Sequence, residues 1–305
     1  MNRPLNRQEA VLYGQIVEAC YTMYGRDHTI LQPEPAAGDI PEPYELVAWV
    51  NMSDFILGNE MPKFYGIVVR HKMQKHNFIL AIRGTEGLVE WLDDAFVHLV
   101  PFRPVPNAGR VSFGFDKIYS TLQVLRRHRG PDGTFAPKAV REPDSAREPM
   151  TGTFARQLEQ LTEVLEGPAP AAQGAPIAKS PKSFVVTGHS LGASLSTLYV
   201  MENKERNTIN ISTSCTFASP HTGNKEFART FDLLPLDSWR IVNTQDLVPK
   251  LPIPIPVFLD YDHVETAYPF SSAGTVKYNP ICWHSMKTYL HWLDPTLALD
   301  PGCVL

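Results

Sequence analysis

Apolar residues follow two different spacings along this chain. In some segments they recur every three to four positions, which is typical of one face of a helix, and in others several follow each other directly, which is typical of a buried strand. The predicted helices are residues 6–24, 113–125, 151–166, 193–201 and 284–293, and the predicted strands are residues 64–70, 78–83, 184–187, 214–218 and 239–243. Because strands and helices alternate over the whole length, the pattern predicts an α/β fold with one mostly parallel sheet and helices on both of its faces.

Polar and Pro-rich segments separate these elements. Residues 31–43 and 167–176 are connectors rich in Pro, Gly and Ala. Residues 128–150 are rich in Arg, Pro, Asp and Glu and lack periodicity, which predicts a polar insertion at the surface. Since no internal repeat interrupts the alternation, we expect a single domain over residues 1–305.

Composition and charge narrow the class of protein. Of 305 residues, 43% are hydrophobic and 20% are charged, as in ordinary soluble globular proteins, and the net charge of −4 gives no basis for nucleic-acid binding. No stretch approaches the ~18 consecutive apolar residues of a membrane span. The N-terminal sequence MNRPLNRQE lacks the apolar segment of a signal peptide, which favours a cytoplasmic protein, or a secreted one if a leader has been removed.

The cysteines, at positions 20, 215, 282 and 303, show no metal-ligand spacing. Nothing else in the sequence implies a metal or an organic cofactor, so we expect none. Cys215 lies in an apolar run and is expected to be a buried thiol. In a cytosolic protein free thiols are favoured for all the cysteines. The alternative is a bridge from Cys20 to Cys282 or Cys303, which would tie the N-terminal region to the C-terminal one.

The segment Gly188-His189-Ser190-Leu191-Gly192 stands between a predicted strand and a predicted helix. In this context Gly-x-Ser-x-Gly is typical of a nucleophile elbow, a sharp turn that exposes a serine hydroxyl and whose glycines allow close packing. The pattern also arises by chance, and it is then a glycine-rich turn with a solvent-facing serine. The flanking strand and helix favour Ser190 as the nucleophile of a serine hydrolase, with His189 packing or hydrogen-bonding at the turn.

A serine nucleophile needs a histidine as general base and an acid that fixes the imidazole. In this fold the chain order is Ser, acid, His. Asp246 comes just after a predicted strand and is the strongest acid candidate. His284, at the start of the last predicted helix, is the strongest candidate for the base. The competing residues are Asp260, Asp262, His263 and His291, of which the two histidines are expected to be structural.

The tetrahedral intermediate of acyl transfer needs hydrogen-bond donors for its oxyanion, and losing one costs about 3 kcal/mol in the barrier. One donor is expected to be the backbone N–H of Leu191, the residue after the nucleophile. The other must come from a loop after an earlier strand. The segment Arg83-Gly84-Thr85 directly follows the strand residues 78–82, and Thr85 offers both a backbone N–H and a hydroxyl.

Five segments in this order resemble those of the class 3 lipases, the family that contains the fungal triacylglycerol lipases. They are residues 82–85, 188–193, 218–228, 240–252 and the segment from 284 into the last helix. The resemblance covers roughly residues 45–295. It implies an α/β-hydrolase fold, a triad of Ser190, Asp246 and His284, and oxyanion donors at Thr85 and Leu191.

The chain departs from the family pattern in two places. Ser112 stands where the family often has a histidine, and the charged insertion at residues 128–150 is not typical of the compact fungal members. Neither departure touches the triad, and both leave the native substrate open.

Residues 86–97 carry Leu88, Trp91, Leu92 and Ala95 on one helical face. In the class 3 lipases this position holds a lid helix over the active site, so the resemblance implies a lid that opens at a lipid surface. The alternative is a core helix that does not move.

The apolar, Pro-rich segment 251–259 follows the acid candidate and cannot form a helix. We expect part of it to line an acyl-chain pocket, with packing against Trp283 as the alternative.

These features predict a serine carboxylester hydrolase, with a lipase that acts on acylglycerol esters as the leading hypothesis. A phospholipase A1-like or feruloyl-esterase-like hydrolase is the runner-up, although the apolar lid residues argue against the feruloyl esterase. A non-catalytic lipase-like binding protein is the alternative from a different class, and the complete set of catalytic residues argues against it. We expect a lipid or other ester substrate, transient contact with a lipid surface through the lid, and neither nucleic-acid binding nor a transmembrane segment.

Overall fold

The computed structural model describes residues 3–53, 61–85, 97–127, 150–166, 182–255 and 258–305. Within them, the helices are α1 (Arg7–Arg26), α2 (Phe113–Tyr119), α3 (Phe154–Glu166), α4 (Leu191–Arg206), α5 (Lys225–Asp232), α6 (Pro280–His284) and α7 (Met286–Leu293). The strands are β1 (Tyr44–Ser53), β2 (Pro62–His71), β3 (Asn77–Ile82), β4 (Leu99–Pro101), β5 (Arg110–Ser112), β6 (Gln123–Arg126), β7 (Ser183–His189), β8 (Asn210–Phe217), β9 (Gly223–Asn224), β10 (Asp237–Asn243), β11 (Tyr261–Asp262) and β12 (Thr266–Phe270).

The predicted α/β fold is confirmed. A sheet of 8 strands has the order β12-β10-β8-β7-β3-β2-β1-β6. From β12 to β3 each strand is parallel to its neighbour, whereas β3, β2, β1 and β6 pair antiparallel. The sheet is therefore parallel around β7 and mixed as a whole. A smaller sheet has the order β11-β9-β5-β4.

Apolar side chains cover both faces of the large sheet, as predicted. On one face α2, α3 and α4 pack against the sheet, and Phe184 and Val186 of β7 point toward them. On the other face lie α1 and α7, with Val185 of β7 beneath them. Neighbouring residues of a strand point to opposite faces, so a strand covered on both sides is apolar at successive positions. This explains why the central strands were predictable as continuous apolar runs.

The prediction of one helix over residues 113–125 is wrong at its C-terminal end. α2 ends at Tyr119, and β6 follows and pairs with β1. The Thr121 hydroxyl donates to the Ile118 carbonyl at 2.8 Å. A side-chain donor of this kind satisfies a carbonyl at the helix end and competes with continuation of the helix.

Besides β6, two strands of the large sheet were not predicted. β1 carries the buried run Leu46-Val47-Ala48-Trp49-Val50 and pairs with β2 and β6. β12 pairs with β10 at the edge of the sheet, is largely exposed and contains Pro269, so its sequence lacks an apolar run. Exposed and buried positions do not alternate along this edge strand, so it gave no periodic signal.

The expectation of free thiols is wrong for one pair of cysteines. Cys282 and Cys303 form a disulfide with their Cα atoms 5.3 Å apart. Cys20 and Cys215 are free and buried, as predicted for Cys215. Cys20 cannot take part in the predicted bridge between the two ends, because its Sγ faces the sheet, 3.7 Å from the Ala81 carbonyl oxygen.

Several predicted features lie outside the described residues. The proposed lid over residues 86–97 falls there except for its last residue, and the insertion over 128–150 does so except for Met150. Among the described helices, none combines the length and apolar character needed to cross a bilayer.

Breaking the Cys282–Cys303 disulfide should destabilise the C-terminal part of the protein. The bridge closes a loop with a sequence separation of 21, and cross-linking a loop of this size removes about 3 kcal/mol of chain entropy from the unfolded state. Urea unfolding with and without reductant measures the change in the free energy of unfolding. The double variant Cys282→Ser/Cys303→Ser is the control and should be insensitive to reductant; equal stability of the oxidised and reduced wild type would contradict the prediction.

Candidate active site

Ser190 occupies a tight turn between β7 and α4. Its backbone has φ 61° and ψ −128°, a conformation that is costly for a residue with a side chain. A Cβ on Gly188 would lie 2.3 Å from the Gly192 carbonyl oxygen, and a Cβ on Gly192 would lie 2.2 Å from the Ile82 carbonyl oxygen. Only glycine fits at both positions, so the two glycines of the pattern have the packing role that the elbow requires.

The side chain of Ser190 is buried, which corrects the expectation of an exposed hydroxyl. The alternative interpretation, a glycine-rich turn with a solvent-facing serine, is therefore wrong as well. Its Oγ lies 2.9 Å from Nε2 of His284, the last residue of α6. The turn thus brings the serine hydroxyl into contact with a base from a distant part of the chain.

His284 also contacts the predicted acid. Its Nδ1 lies 2.7 Å from Oδ2 of Asp246. An ionised carboxylate accepts hydrogen bonds, so the ring proton belongs on Nδ1 and leaves Nε2 free to accept from Ser190. The structure therefore brings Ser190, His284 and Asp246 into one continuous hydrogen-bond chain.

Two further donors hold the Asp246 carboxylate. The Tyr289 hydroxyl donates to Oδ2 at 2.7 Å, and the backbone N–H of Val248 donates to Oδ1 at 3.0 Å. Asp246 is only 2% exposed, and a buried carboxylate needs such donors to remain ionised. Burial and the neighbouring carboxylate raise the pKa of Tyr289 well above its usual value, so the phenol stays a donor.

Asn243, at the end of β10, joins the acid loop to the helix that carries the base. Its amide nitrogen donates to the Trp283 carbonyl and to the Ser272 hydroxyl, both at 2.8 Å. Its amide oxygen accepts from the Ser272 backbone N–H at 3.1 Å. The fully buried amide thereby fixes the start of the Asp246 loop relative to His284.

The two predicted oxyanion donors come from two different segments, the start of α4 and the segment that follows β3. Leu191 is the first residue of α4, so its N–H has no acceptor within the helix. Thr85 is partly buried and follows Gly84. A Cβ on Gly84 would lie 2.7 Å from Ser190 Cβ and 3.0 Å from Ser190 Oγ. The segment after β3 therefore passes directly beside the hydroxyl.

His189 packs and hydrogen-bonds at the turn, as predicted. Its Nδ1 lies 2.7 Å from the Tyr21 hydroxyl, and its ring centre lies 4.6 Å from that of His284. Burial, and then the proximity of His284, hold the pKa of His189 well below its usual value. A neutral His189 beside His284 avoids a repulsive positive charge next to the base.

The competing residues have other partners. His263 Nε2 lies 2.8 Å from the Pro249 carbonyl oxygen, and burial lowers the pKa of His263 to about 2. His291 Nδ1 lies 2.7 Å from the Leu297 carbonyl oxygen. The Asp262 carboxylate accepts from a backbone N–H at the surface. Both histidines are therefore structural, as predicted.

The Pro-rich loop after the predicted acid exposes its residues 253–255 and Phe258, whereas Pro252 is buried. The fractional exposure is 68% for Ile253, 50% for Ile255 and 79% for Phe258. Trp283 packs against Tyr278 and in the cluster around the disulfide. Both interpretations of the loop, a contribution to an acyl-chain pocket and packing against Trp283, stay predictions.

Sequence reasoning missed Tyr21, Asn243, Tyr289 and the contacts of Arg83. Apart from the contact of Arg83 with Gly84, the partners of these side chains lie at distant positions along the chain and are brought close by the fold. Arg83 and Asn243 stand inside segments that resemble the family, which was the only signal that could have drawn attention to them. Among the described residues no cluster of His, Cys, Asp or Glu could hold a metal ion.

A comparison with protein families identifies the family of this chain. The model of the family "Lipase (class 3)" matches residues 79–255, more than half of the chain. The chain belongs to the class 3 lipase family. The matched part includes Thr85, Ser190 and Asp246, and it ends before His284.

Curated relatives of this lipase-family chain include plant phospholipases. It is 28% identical over 242 residues to phospholipase A1-II 1 of Oryza sativa subsp. indica. The aligned region covers 75% of this chain and 52% of the relative. The chain is 25% identical over 292 residues to the chloroplastic phospholipase A1-Igamma2 of Arabidopsis thaliana, covering 82% of this chain and 50% of the relative. The chain thus spans about half the length of these relatives.

Solved structures of fungal lipases share the fold. A lipase from Rhizopus microsporus var. chinensis superimposes with a TM-score of 0.55 at 20% identity, covering 87% of this chain and 74% of that one. Lipase II from Rhizopus niveus gives a TM-score of 0.55 at 19% identity, covering 87% and 80%. These likenesses establish the α/β-hydrolase fold of the class 3 lipase chain.

Replacing Tyr289 with Phe should lower the rate of ester hydrolysis without unfolding the protein. The change removes one donor from Asp246, and a hydrogen bond to a charged group contributes about 1.5–3 kcal/mol. We expect kcat to fall by about tenfold, measured as steady-state p-nitrophenyl ester hydrolysis alongside thermal unfolding.

The matched control is Tyr199→Phe. Tyr199 is equally buried, and its hydroxyl meets no hydrogen-bond partner among the described residues. If both variants hydrolyse the ester at the wild-type rate, Tyr289 has no part in holding the acid.

Proposed function

We propose that this chain is a serine carboxylester hydrolase that acts on lipid esters through an acyl-enzyme on Ser190. The observation that carries the proposal is the hydrogen-bond chain from Ser190 Oγ through His284 to the buried Asp246. Family membership supports it, because the class 3 lipases are named for ester hydrolysis. The described helices cover the two faces of one large sheet, which supports a single-domain organisation.

In the first half of the reaction His284 Nε2 takes the hydroxyl proton as Ser190 Oγ attacks the ester carbonyl carbon. Asp246 accepts from the opposite ring nitrogen and stabilises the imidazolium that forms. The carbonyl π electrons move to the oxygen, and the backbone N–H groups of Thr85 and Leu191 donate to this oxyanion. When the intermediate collapses, the C–O bond to the alcohol breaks and His284 protonates the leaving oxygen.

In the second half water replaces the alcohol. His284 takes a proton from a water molecule, and the oxygen of this water attacks the carbonyl carbon of the acyl group bound to Ser190 Oγ. The same donors stabilise the second oxyanion, and its collapse returns the proton to Ser190 Oγ and releases the fatty acid. No residue changes oxidation state, and the chemistry uses only the side chains and backbone groups named.

The substrate class that we propose is an acylglycerol, with a phospholipid cleaved at its first acyl chain as the second candidate. The second candidate is favoured by the names of the curated relatives, several of which are phospholipases A1. We also propose that residues 86–97 form a lid that contacts a lipid surface, on the strength of their apolar face and their place after Thr85. A feruloyl ester fits this apolar face poorly.

Hydrolysis by wild type and by Ser190→Ala tests the proposal. Removing the nucleophile should lower kcat by at least ~10³-fold with p-nitrophenyl esters of long acyl chains, since only binding and oxyanion contacts remain. Ser194→Ala is the matched control, because Ser194 is an equally buried serine in the first turn of α4, the helix that begins just after Ser190. Equal activity of wild type and Ser190→Ala would refute the nucleophile assignment.

The substrate candidates are separated with emulsified trioleoylglycerol and with phosphatidylcholine labelled in either acyl chain. Release of fatty acid from trioleoylglycerol at the higher kcat/KM supports the acylglycerol lipase. Preferential release from the first position of phosphatidylcholine supports the phospholipase A1. Activity confined to acetyl esters would contradict both.

A further inference from the structure

Arg83 is a buried cation beside the proposed nucleophile. It follows the last residue of β3 and is only 1% exposed. Its Nε and Nη2 donate to the Phe64 carbonyl at 3.1 and 2.8 Å, and its Nη1 donates to the Gly84 carbonyl at 2.7 Å. The guanidinium therefore joins the backbone of β2 to the segment that passes Ser190.

Two aromatic rings enclose the same guanidinium. Its central carbon lies 3.6 Å from the ring centre of Tyr24 and 4.2 Å from that of Tyr65. Removing a cation from water is costly, and cation–π contact on both sides offsets part of that cost. The planar group is thus held in one orientation, which a flexible ammonium would not be.

The contact with Gly84 has a consequence for Thr85. The C=O of Gly84 and the N–H of Thr85 belong to one planar trans peptide, in which they point in opposite directions. Because Arg83 Nη1 fixes the direction of this carbonyl, it also fixes the direction of the Thr85 N–H. A rotation of this peptide would turn the N–H away from the site.

The preceding peptide is held from the other side. The backbone N–H of Gly84 donates to the Tyr21 hydroxyl at 2.7 Å, and this hydroxyl also lies 2.7 Å from Nδ1 of His189. Tyr21 thereby connects Gly84 to the residue before the nucleophile. Gly84 itself leaves no room for a Cβ between Ser190 and Tyr21.

We propose that Arg83 and Tyr21 are positioning residues that hold Gly84 from two sides and aim the Thr85 N–H at the oxyanion. The inference rests on the proposed ester hydrolysis at Ser190 and adds to it the residues that preorganise one donor. Neither side chain touches the reacting atoms. Both act by fixing the two peptides that flank Gly84, so their effect is confined to states in which the substrate oxygen carries charge.

The first test measures kcat and KM of Arg83→Lys and Tyr21→Phe with a p-nitrophenyl ester. Lysine keeps the buried positive charge but cannot reach both carbonyls with a planar fork. The change Tyr21→Phe keeps the aromatic ring and removes only the hydroxyl that accepts from Gly84. We expect kcat to fall about 10²-fold for Arg83→Lys and about tenfold for Tyr21→Phe, with KM changed less than about twofold.

The second test separates positioning from a merely structural role. A long-chain alkyl boronic acid forms a tetrahedral adduct on a serine hydroxyl and places a charged oxygen where the oxyanion develops, whereas an ether analogue of the ester binds without forming this charge. The inhibition constant for the boronic acid should rise in parallel with the loss of kcat. The inhibition constant for the ether should stay at the wild-type value.

Arg70→Gln is the control variant. Arg70 is a buried arginine of β2 whose guanidinium donates to Glu45 at 2.9 Å, near the opposite end of that strand from Phe64. The Arg70→Gln variant should keep the wild-type kcat and the wild-type affinity for the boronic acid, even if its thermal stability is lower. If Arg83→Lys does not fold, the inhibition constants of the boronic acid and the ether for Tyr21→Phe decide whether the proposal holds.

Two results would overturn the proposal. One is a folded Arg83→Lys or Tyr21→Phe enzyme with wild-type kcat and boronic-acid affinity. The other is an equal loss of affinity for the boronic acid and the ether, which indicates general distortion of the site. Either result leaves the proposed function standing as long as Ser190→Ala is inactive, whereas an active Ser190→Ala refutes the function itself.

Discussion

The structure depends on how closely β3, β7 and the first turn of α4 approach each other around Ser190. Gly188 and Gly192 allow this approach, because a Cβ on either would overlap backbone carbonyl groups. The approach forces Ser190 to a positive φ, which costs of order 1–3 kcal/mol. The Ser190 N–H donates to the Phe217 carbonyl of β8 at 2.9 Å, and the Ser190 carbonyl accepts from Ala193 at 3.0 Å. The strained turn is thus anchored to the neighbouring strand and to the helix it begins.

The remaining parts of the site are fastened to this turn by buried polar side chains. Asn243 and Tyr289 join the end of β10 to the helices on either side of His284. Tyr21 connects α1 to His189 and to Gly84. Asn243, Tyr289 and His189 are buried and Tyr21 is partly buried. Because an unmet hydrogen bond is costly away from water, the network favours one arrangement of the site.

The sequence allowed the fold class and three residues of the site to be predicted, because their signals are local. Ser190 lies in a five-residue pattern, Asp246 follows a strand, and His284 precedes a helix. The central strands were evident because both faces are covered. β12 and the small sheet gave no signal, since edge and two-residue strands have no periodicity. The distant partners of Arg83, Asn243 and Tyr289 could not be predicted, because these contacts join segments that only the fold brings together.

Covalent labelling of the folded protein identifies its nucleophile. The protein is incubated with a long-chain alkylphosphonate p-nitrophenyl ester, and the adduct is located by mass spectrometry of its peptides. We expect one adduct per folded chain on Ser190, with release of one equivalent of p-nitrophenol, and no adduct in the urea-unfolded protein. Labelling of another serine, such as Ser194, or no labelling of the folded chain, would contradict this expectation.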